Sequence, residues 1–162
     1  MIPGYVTLIP NFAIMVKLKL LNSHWALILR SALSGSATSI FLFRQFFLSI
    51  PRDLENAAIV DGCSWPGVFF RIIMPNSKPA IATVIILSFR STWNSFLWPQ
   101  LVLQTDRLWT WTLALKILSE SETNQAVLLA GSVISILPIL IIYLACQKYF
   151  VNSQVSAGFG GT

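Results

Sequence analysis

The sequence contains few charged residues. Asp, Glu, Lys and Arg make up 10% of its 162 residues, while 55% are hydrophobic and the mean hydropathy is +0.70. A soluble domain usually has about 25% charged residues. The composition therefore excludes a disordered chain, an acidic solvating tail and an ordinary soluble enzyme. The apolar excess must be buried outside water, and a lipid bilayer is the obvious environment.

Histidine and cysteine are almost absent. His24 is the only histidine, and Cys63 and Cys146 lie far apart in the chain. This pattern argues against a histidine-based metal or triad site, a cysteine metal site and a disulfide framework, so we interpret His24 as a loop residue. Basic residues are scattered from Lys17 to Lys148 without a cluster, which argues against a nucleic-acid partner. Among the possible functions, an intramembrane enzyme is the least favoured, because the apolar stretches lack paired acids or a nucleophile–base set.

Four apolar stretches divide the chain at its charged residues. A membrane-spanning helix needs about 20 residues, and three of the stretches reach that length. We therefore predict an all-α membrane protein whose helices form a single transmembrane domain over residues 1–162. The stretches are 1–16, 25–50, 79–103 and 126–147.

Individual stretches carry further signals. Residues 1–16 are short, and we interpret them as the remaining part of a longer hydrophobic helix, with a signal-like or re-entrant segment as the alternative. Small residues dominate from Ser31 to Ser39, which favours close contact with other helices in a bundle. Arg30 could extend to the membrane interface. Arg90, near the middle of its stretch, should face a cavity or a partner helix.

The longest polar region, residues 51–78, is predicted to form two short amphipathic helices. Acidic residues favour the N-terminal end of the first helix, and Gly62 is placed to end it in the left-handed conformation. Ser64 can cap the second helix, with Pro66 in its first turn, and Pro75 should stop it. The loop could be a projecting docking element or an interfacial hairpin on the lipid headgroups. The first helix would present one face on which alanine side chains allow close contact, an alanine-floored face formed by Leu54, Ala57, Ala58 and Asp61.

This loop resembles the cytoplasmic coupling loop of binding-protein-dependent ABC import permeases. That family's pattern is Glu-Ala-Ala, three residues, Gly, nine residues, Ile, one residue and Leu-Pro. The chain has the same spacing, with asparagine in place of the motif glutamate and methionine in place of the motif leucine. Residues 92–103 and 137–151 are similar to the carbohydrate-uptake branch of the family. The positions that match the pattern's spacing are Asn56, Ala57, Ala58, Gly62, Ile72, Met74 and Pro75.

The resemblance implies a type I ABC importer permease-like helical bundle that is N-terminally truncated, with about four of six transmembrane helices remaining. The implied function is the permease subunit of an ATP-driven sugar importer in the plasma (inner) membrane. Residues 51–78 and the C-terminus would be cytoplasmic. The alternative is a truncated, non-functional remnant that inserts in the membrane without transporting.

The implied partners are a second permease subunit, cytoplasmic ABC ATPase subunits, an extracytoplasmic sugar-binding protein and the bilayer. ATP and Mg²⁺ would be bound by the ATPase, so no cofactor, metal site or catalytic residue is expected in this chain. The sequence lacks the G-x-x-x-x-G-K-[ST] phosphate-binding loop.

Two groups of residues are candidates for these roles. The weaker group would line the translocation path, because aromatic faces suit sugar rings and an amide within a span needs partners; membrane-interface anchoring is the alternative for its tryptophans. The path candidates are Trp93, Asn94 and Trp98. The candidates for coupling to the ATPase are Glu55, Asn56, Ala57, Ala58, Asp61, Gly62, Ile72 and Pro75.

Overall fold

A computed structural model describes residues 5–33, 35–121 and 124–158 of the chain. All regular structure in these ranges is helical, which confirms the predicted all-α class. Besides the α-helices there are a π-helical turn at Phe69–Ile73 and a 3₁₀ turn at Asp106–Leu108. The α-helices are α1 (Leu8–Lys17), α2 (Trp25–Leu33), α3 (Ala37–Ser49), α4 (Arg52–Val60), α5 (Trp65–Val68), α6 (Met74–Asn76), α7 (Lys78–Trp93), α8 (Leu97–Val102), α9 (Trp111–Ser121) and α10 (Gln125–Gly158).

Two segments of the described chain are long and apolar enough to cross a membrane. They are Trp25–Ser49, which contains α2 and α3, and Gln125–Tyr149 within α10. A third candidate span is a pair of helical segments that is bent by 72° at its break and counts only if the pair forms one span. The two segments are Trp65–Asn76 and Lys78–Trp93. In the described part of the first apolar stretch, from Tyr5 onward, the structure has the ten-residue α1, which extends to Lys17 and is shorter than a span.

The apolar stretch 79–103 is not one continuous helix. Helix α7 ends at Trp93, and α8 begins only at Leu97. Phe96, at the break, has a φ of −121°, outside the helical range. Pro99 then lies in the first turn of α8, where a missing N–H costs no hydrogen bond within the helix. The sequence predicts one continuous span in this stretch. The structure has instead a helix, a break and a short second helix.

The chain divides into two compact units. One comprises Met1–Gly35 and Phe89–Leu140, and the other comprises Ser36–Ser88 and Ile141–Thr162. In the first unit, α8 contacts α1, α2 and α9. Its apolar core consists of Met15, Ala26, Trp98, Val102 and Leu103. In the second unit, α4 packs against α5, and Ala58 and Val68 are buried.

Asn22 fixes the end of α8 within the first unit. Its backbone N–H donates to the carbonyl of Val102 at 2.7 Å. Its side-chain oxygen accepts from the N–H groups of Gln104 and Thr105, each at 3.0 Å, and its amide donates to the Thr105 hydroxyl at 2.8 Å. Asn22 has a φ of +56°, a conformation that asparagine tolerates. These hydrogen bonds hold α8, and with it Trp98, beside the segment that precedes α2.

Candidate functional sites

The loop 51–78 contains the first helix that its sequence predicts, with the predicted end. Gly62 has a φ of +84°, so the chain leaves α4 in the left-handed conformation. The N–H of Gly62 donates to the carbonyl of Ile59 at 3.0 Å, and that of Cys63 donates to the carbonyl of Ala58 at 2.9 Å. This pair of bonds is the Schellman motif, which satisfies carbonyls at the helix end. The turn therefore depends on the backbone freedom of Gly62.

The second helix of the loop is longer than predicted. The sequence indicates an end at Pro75, but the chain stays helical to Asn76 through the π-helical turn at Phe69–Ile73. Pro75 lies in the first turn of α6, where its missing N–H is tolerated. Ser64 occupies the predicted N-cap position of α5, but its side chain makes no cap hydrogen bond.

The alanines of α4 do not share one outward face. Ala58 is only 6% exposed and is buried in its unit, whereas Ala57 is exposed. Successive residues of an α-helix lie about 100° apart, so one partner cannot contact both alanines equally. The alanine-floored face predicted from the sequence is therefore corrected to a face that contains Ala57 without Ala58. Of the other coupling candidates, Asn56, Asp61, Gly62 and Pro75 are exposed, and Glu55 and Ile72 are half-buried.

The structure adds an apolar residue that the sequence analysis omitted from the candidate set. Val60 is 86% exposed, the most of any described large hydrophobic side chain in the loop. It lies three residues after Ala57 and four after Asn56, so it shares their side of α4. That spacing is the signal from which Val60 could have been found. Together with the methyl group of Ala57, Val60 gives this side of α4 a small exposed apolar area.

An open groove of about 990 Å³ lies beside the loop in the second unit. Helix α3 gives it an apolar side that includes Phe43 and Phe47, while α4 contributes Glu55 and Asn56. Two coupling candidates therefore line one groove. Its lining is completed by Ile40, Arg44, Leu48, Ile50, Arg52, Trp65, Phe69 and Met74.

Among the path candidates, Trp98 is a core residue of the first unit. It is 4% exposed, and its indole N–H donates to the carbonyl of Ala26 at 3.3 Å. The guanidinium carbon of Arg30 lies 4.4 Å from the centre of the Trp98 ring. Arg30 thus lies over Trp98, and its extension to the membrane interface stays a prediction from the sequence. The burial of Trp98 disagrees with interface anchoring.

Trp93 is held by two hydrogen bonds to other helices and by a ring contact within α7. Its indole N–H donates to the carbonyl of Ser135 at 3.0 Å, its carbonyl accepts from the Thr112 hydroxyl, and its ring stacks on Phe89. Asn94 is exposed and lines a cavity of about 310 Å³ together with Trp98. The structure therefore brings Asn94 and Trp98 to one cavity, whose lining does not include Trp93. Arg90, which the sequence assigns to a cavity or partner helix, is exposed.

A protein-family model matches residues 1–153 of the chain, and its description is "Binding-protein-dependent transport system inner membrane component". The chain belongs to this family. Membership confirms the resemblance seen in the loop motif, and the family is one of inner-membrane transport components rather than of enzymes. The helical structure agrees with a type I importer permease fold.

Curated relatives match nearly the whole permease chain. The arabinooligosaccharides transport system permease protein AraQ of Bacillus subtilis is 41% identical over 162 residues, which are 99% of this chain and 57% of AraQ. The sn-glycerol-3-phosphate transport system permease protein UgpE of Salmonella typhi is 37% identical over 161 residues, 97% of this chain and 56% of UgpE. The chain thus spans somewhat more than half the length of these relatives.

A solved structure shows the same fold. Its description is "Crystal structure of a bacterial ABC transporter involved in the import of the acidic polysaccharide alginate". The match has a TM-score of 0.65 and 28% sequence identity, and it covers 88% of this chain and 55% of the other.

Proposed function

We propose that this permease is a membrane-spanning subunit of an ATP-driven carbohydrate importer, and that its loop 51–78 couples it to a cytoplasmic ABC ATPase. The observation that supports this most is the outward side of α4, where Asn56, Ala57 and the 86% exposed Val60 lie together. The turn at Gly62 holds this short helix against α5. A small, well-fixed helix with an exposed apolar residue is suited to insertion in a partner's cleft.

Charge favours a protein partner over the lipid headgroups. Asp53 on α4 and Asp61 at its C-cap are exposed, and Arg52 is the only basic residue of α4. An interfacial helix usually presents lysine and arginine to anionic lipid. An acidic outward side would be repelled by such a surface and attracted by a basic protein cleft. We therefore favour ATPase docking over the interfacial hairpin.

The other coupling candidates have supporting roles in this proposal. Ala58 allows close packing of α4 within the unit, because its side chain is small and buried. Ile72 and Pro75 belong to the second helix, which links the loop to α7 and so to the membrane. Glu55 and Asn56 would contact the partner where they line the groove beside α3.

The family and its named relatives support a proposal for the partners and the substrate. A second permease chain would complete the path, an extracytoplasmic binding protein would deliver the substrate, and ATPase closure would switch the path between two states. ATP and Mg²⁺ would remain on the ATPase. A carbohydrate substrate is supported by relatives named for arabinooligosaccharides and by a structural neighbour named for alginate.

Capture of the ATPase tests the coupling role. In membranes that contain the tagged chain, an ABC ATPase subunit and the sibling permease, the unmodified chain should retain the ATPase. Val60→Asp should lower retention about tenfold, since it places an unpaired carboxylate in an apolar contact. The exposed Gln104→Asp change adds the same charge in another loop and should have no effect. Failure of the unmodified chain to retain the ATPase would favour the non-transporting remnant.

Cysteine labelling tests the predicted side of the loop. Cys63 lies within the loop and is partly exposed, and Cys146→Ser leaves it as the sole cysteine. A membrane-impermeant thiol reagent should leave Cys63 unmodified in intact spheroplasts and modify it in inside-out vesicles. Denatured protein supplies the control for full reactivity. Labelling in intact spheroplasts would contradict a cytoplasmic loop.

A further inference from the structure

The second helix of the loop, Trp65–Asn76, is bent by 72° relative to α7, the helix that follows it. Helix α7 begins the apolar stretch 79–103, which the sequence assigns to the membrane. Spanning helices are tilted from the bilayer normal by about 20° on average. A helix bent by 72° from such a span lies closer to the membrane plane than to the normal. The second loop helix therefore has the direction of a helix on the membrane surface.

Hydrogen bonds at the bend hold this direction. The buried Ser77 hydroxyl donates to the carbonyl of Ile73 at 2.7 Å, and the Asn76 amide donates to the carbonyl of Ile72 at 2.8 Å. Side chains that bond back to the preceding turn often bend a helix. Pro79, in the first turn of α7, has no N–H with which to continue the backbone ladder across the bend. Local structure thus fixes the angle between the second loop helix and α7.

The second loop helix exposes large aromatic side chains. Trp65 is 68% exposed, Phe70 is 67% exposed and Phe69 is 37% exposed. The Phe69 ring makes edge contacts with Phe70 and with Phe47 of α3, at distances between ring centres of 5.0 and 6.4 Å. Phe47 is close to the end of the candidate span Trp25–Ser49. Aromatic side chains exposed beside the end of a span are suited to the boundary between water and lipid.

The charge of the second loop helix differs in sign from that of α4. Arg71 of this helix and Lys78 directly after the bend are exposed. The sequence contains no aspartate or glutamate from Gly62 to Thr105. Exposed aromatic side chains together with basic ones are typical of helices that lie on anionic lipid. The charge argument that separates α4 from the lipid headgroups therefore favours contact of the second loop helix with them.

We infer that the second loop helix is an interfacial helix that binds anionic phospholipid headgroups of the leaflet on its own side of the membrane. Phe69 and Phe70 insert among the headgroups, and Arg71 and Lys78 bind the lipid phosphates. The loop is then divided between two partners, with α4 available to a protein and the second helix held on the membrane. The four side chains lie outside the coupling candidates, so the inference goes beyond the proposed coupling role.

Collision rates of a nitroxide spin label measure the depth of this helix. The full chain with Cys63→Ser and Cys146→Ser is labelled at Phe70→Cys and placed in nanodiscs of phosphatidylcholine, alone or mixed with phosphatidylglycerol. The colliding reagents are oxygen, which enters the bilayer, and a nickel chelate, which stays in water. In the mixed lipid, the ratio of oxygen to nickel collisions should be about threefold higher at position 70 than for a label at Val60→Cys on α4. The difference should be smaller in phosphatidylcholine alone.

Charge substitutions assign the lipid effect to the basic residues. Arg71→Gln combined with Lys78→Gln should remove the effect of phosphatidylglycerol, because the charges that attract the anionic lipid are lost. Lys17→Gln combined with Arg107→Gln removes two exposed charges elsewhere in the chain and should leave the effect unchanged. Because Arg71 and Lys78 are exposed, their replacement should not lower the unfolding temperature.

Addition of the ABC ATPase separates lipid contact from protein contact. The label at position 70 should be protected from nickel before the ATPase is added and should not change when it binds. Equal collision ratios at positions 60 and 70, protection of position 70 that arises only with the ATPase, or an unchanged lipid effect in the Arg71→Gln and Lys78→Gln variant would each overturn the inference. Protection of position 70 in a chain that does not capture the ATPase would support the interfacial helix and contradict only the coupling role.

Discussion

Replacing Gly62 by valine is expected to lower substrate-stimulated ATP hydrolysis of the assembled importer about tenfold, because a strained backbone conformation costs about 1–3 kcal/mol. Gly62 has a φ of +84°, a region that β-branched residues strongly avoid. A Cβ atom there would meet nothing within 4 Å, so the expected effect comes from the backbone rather than a clash. Valine would disturb the Schellman turn and change the position of α4 relative to α5. The measurement is ATP hydrolysis with and without substrate-loaded binding protein.

Two further variants separate the backbone effect from general damage. Gly62→Asn should restore much of the stimulation, since asparagine tolerates the left-handed conformation. Gly67→Ala changes another glycine of the loop at a helical position, where a Cβ would make an ordinary 3.5 Å contact with the Ser64 hydroxyl. It should behave like the unmodified chain. Unaltered stimulation in Gly62→Val would refute the role assigned to the turn.

Replacing Trp98 by alanine is expected to lower the free energy of unfolding by about 3–5 kcal/mol, as for other large aromatic side chains removed from a core. Trp98 is 4% exposed and belongs to the core that includes Met15, Ala26 and Val102. Its loss would leave a cavity, remove the hydrogen bond to Ala26 and uncover Arg30. Thermal unfolding of the purified chain in detergent measures the effect.

Matched tryptophan variants show whether burial is the cause. Trp98→Phe keeps most of the volume and loses the indole hydrogen bond, so it should cost only about 1 kcal/mol. Trp65 is 68% exposed, and Trp65→Ala should change stability by no more than about 0.5 kcal/mol. If Trp98→Ala unfolded at the same temperature as Trp65→Ala, Trp98 would not be a core residue.

The end of the first loop helix was predictable because its signal is local, whereas the second loop helix continues past its predicted end at Pro75. A glycine after an amphipathic helix permits the left-handed turn, and Gly62 has that turn in the structure. The outward side of α4 was harder to predict. The sequence groups Ala57 with Ala58, but packing of α4 on α5 buries only Ala58 and leaves Val60 exposed. Such burial depends on which neighbour covers a helix, and the periodicity of α4 alone does not specify it.

The sequence by itself determined the membrane environment, the all-α class and the family, because low charge, long apolar stretches and a motif of fixed spacing are properties of chain order. Only the tertiary structure decided that the apolar stretch 79–103 breaks after Trp93 and that Trp98 is buried. It also decided that Arg30 lies over Trp98 in a cavity lined by hydroxyls. Arg30 and Trp98 are distant in sequence, and contacts between distant residues arise from packing of α2 against α8, which local patterns do not encode.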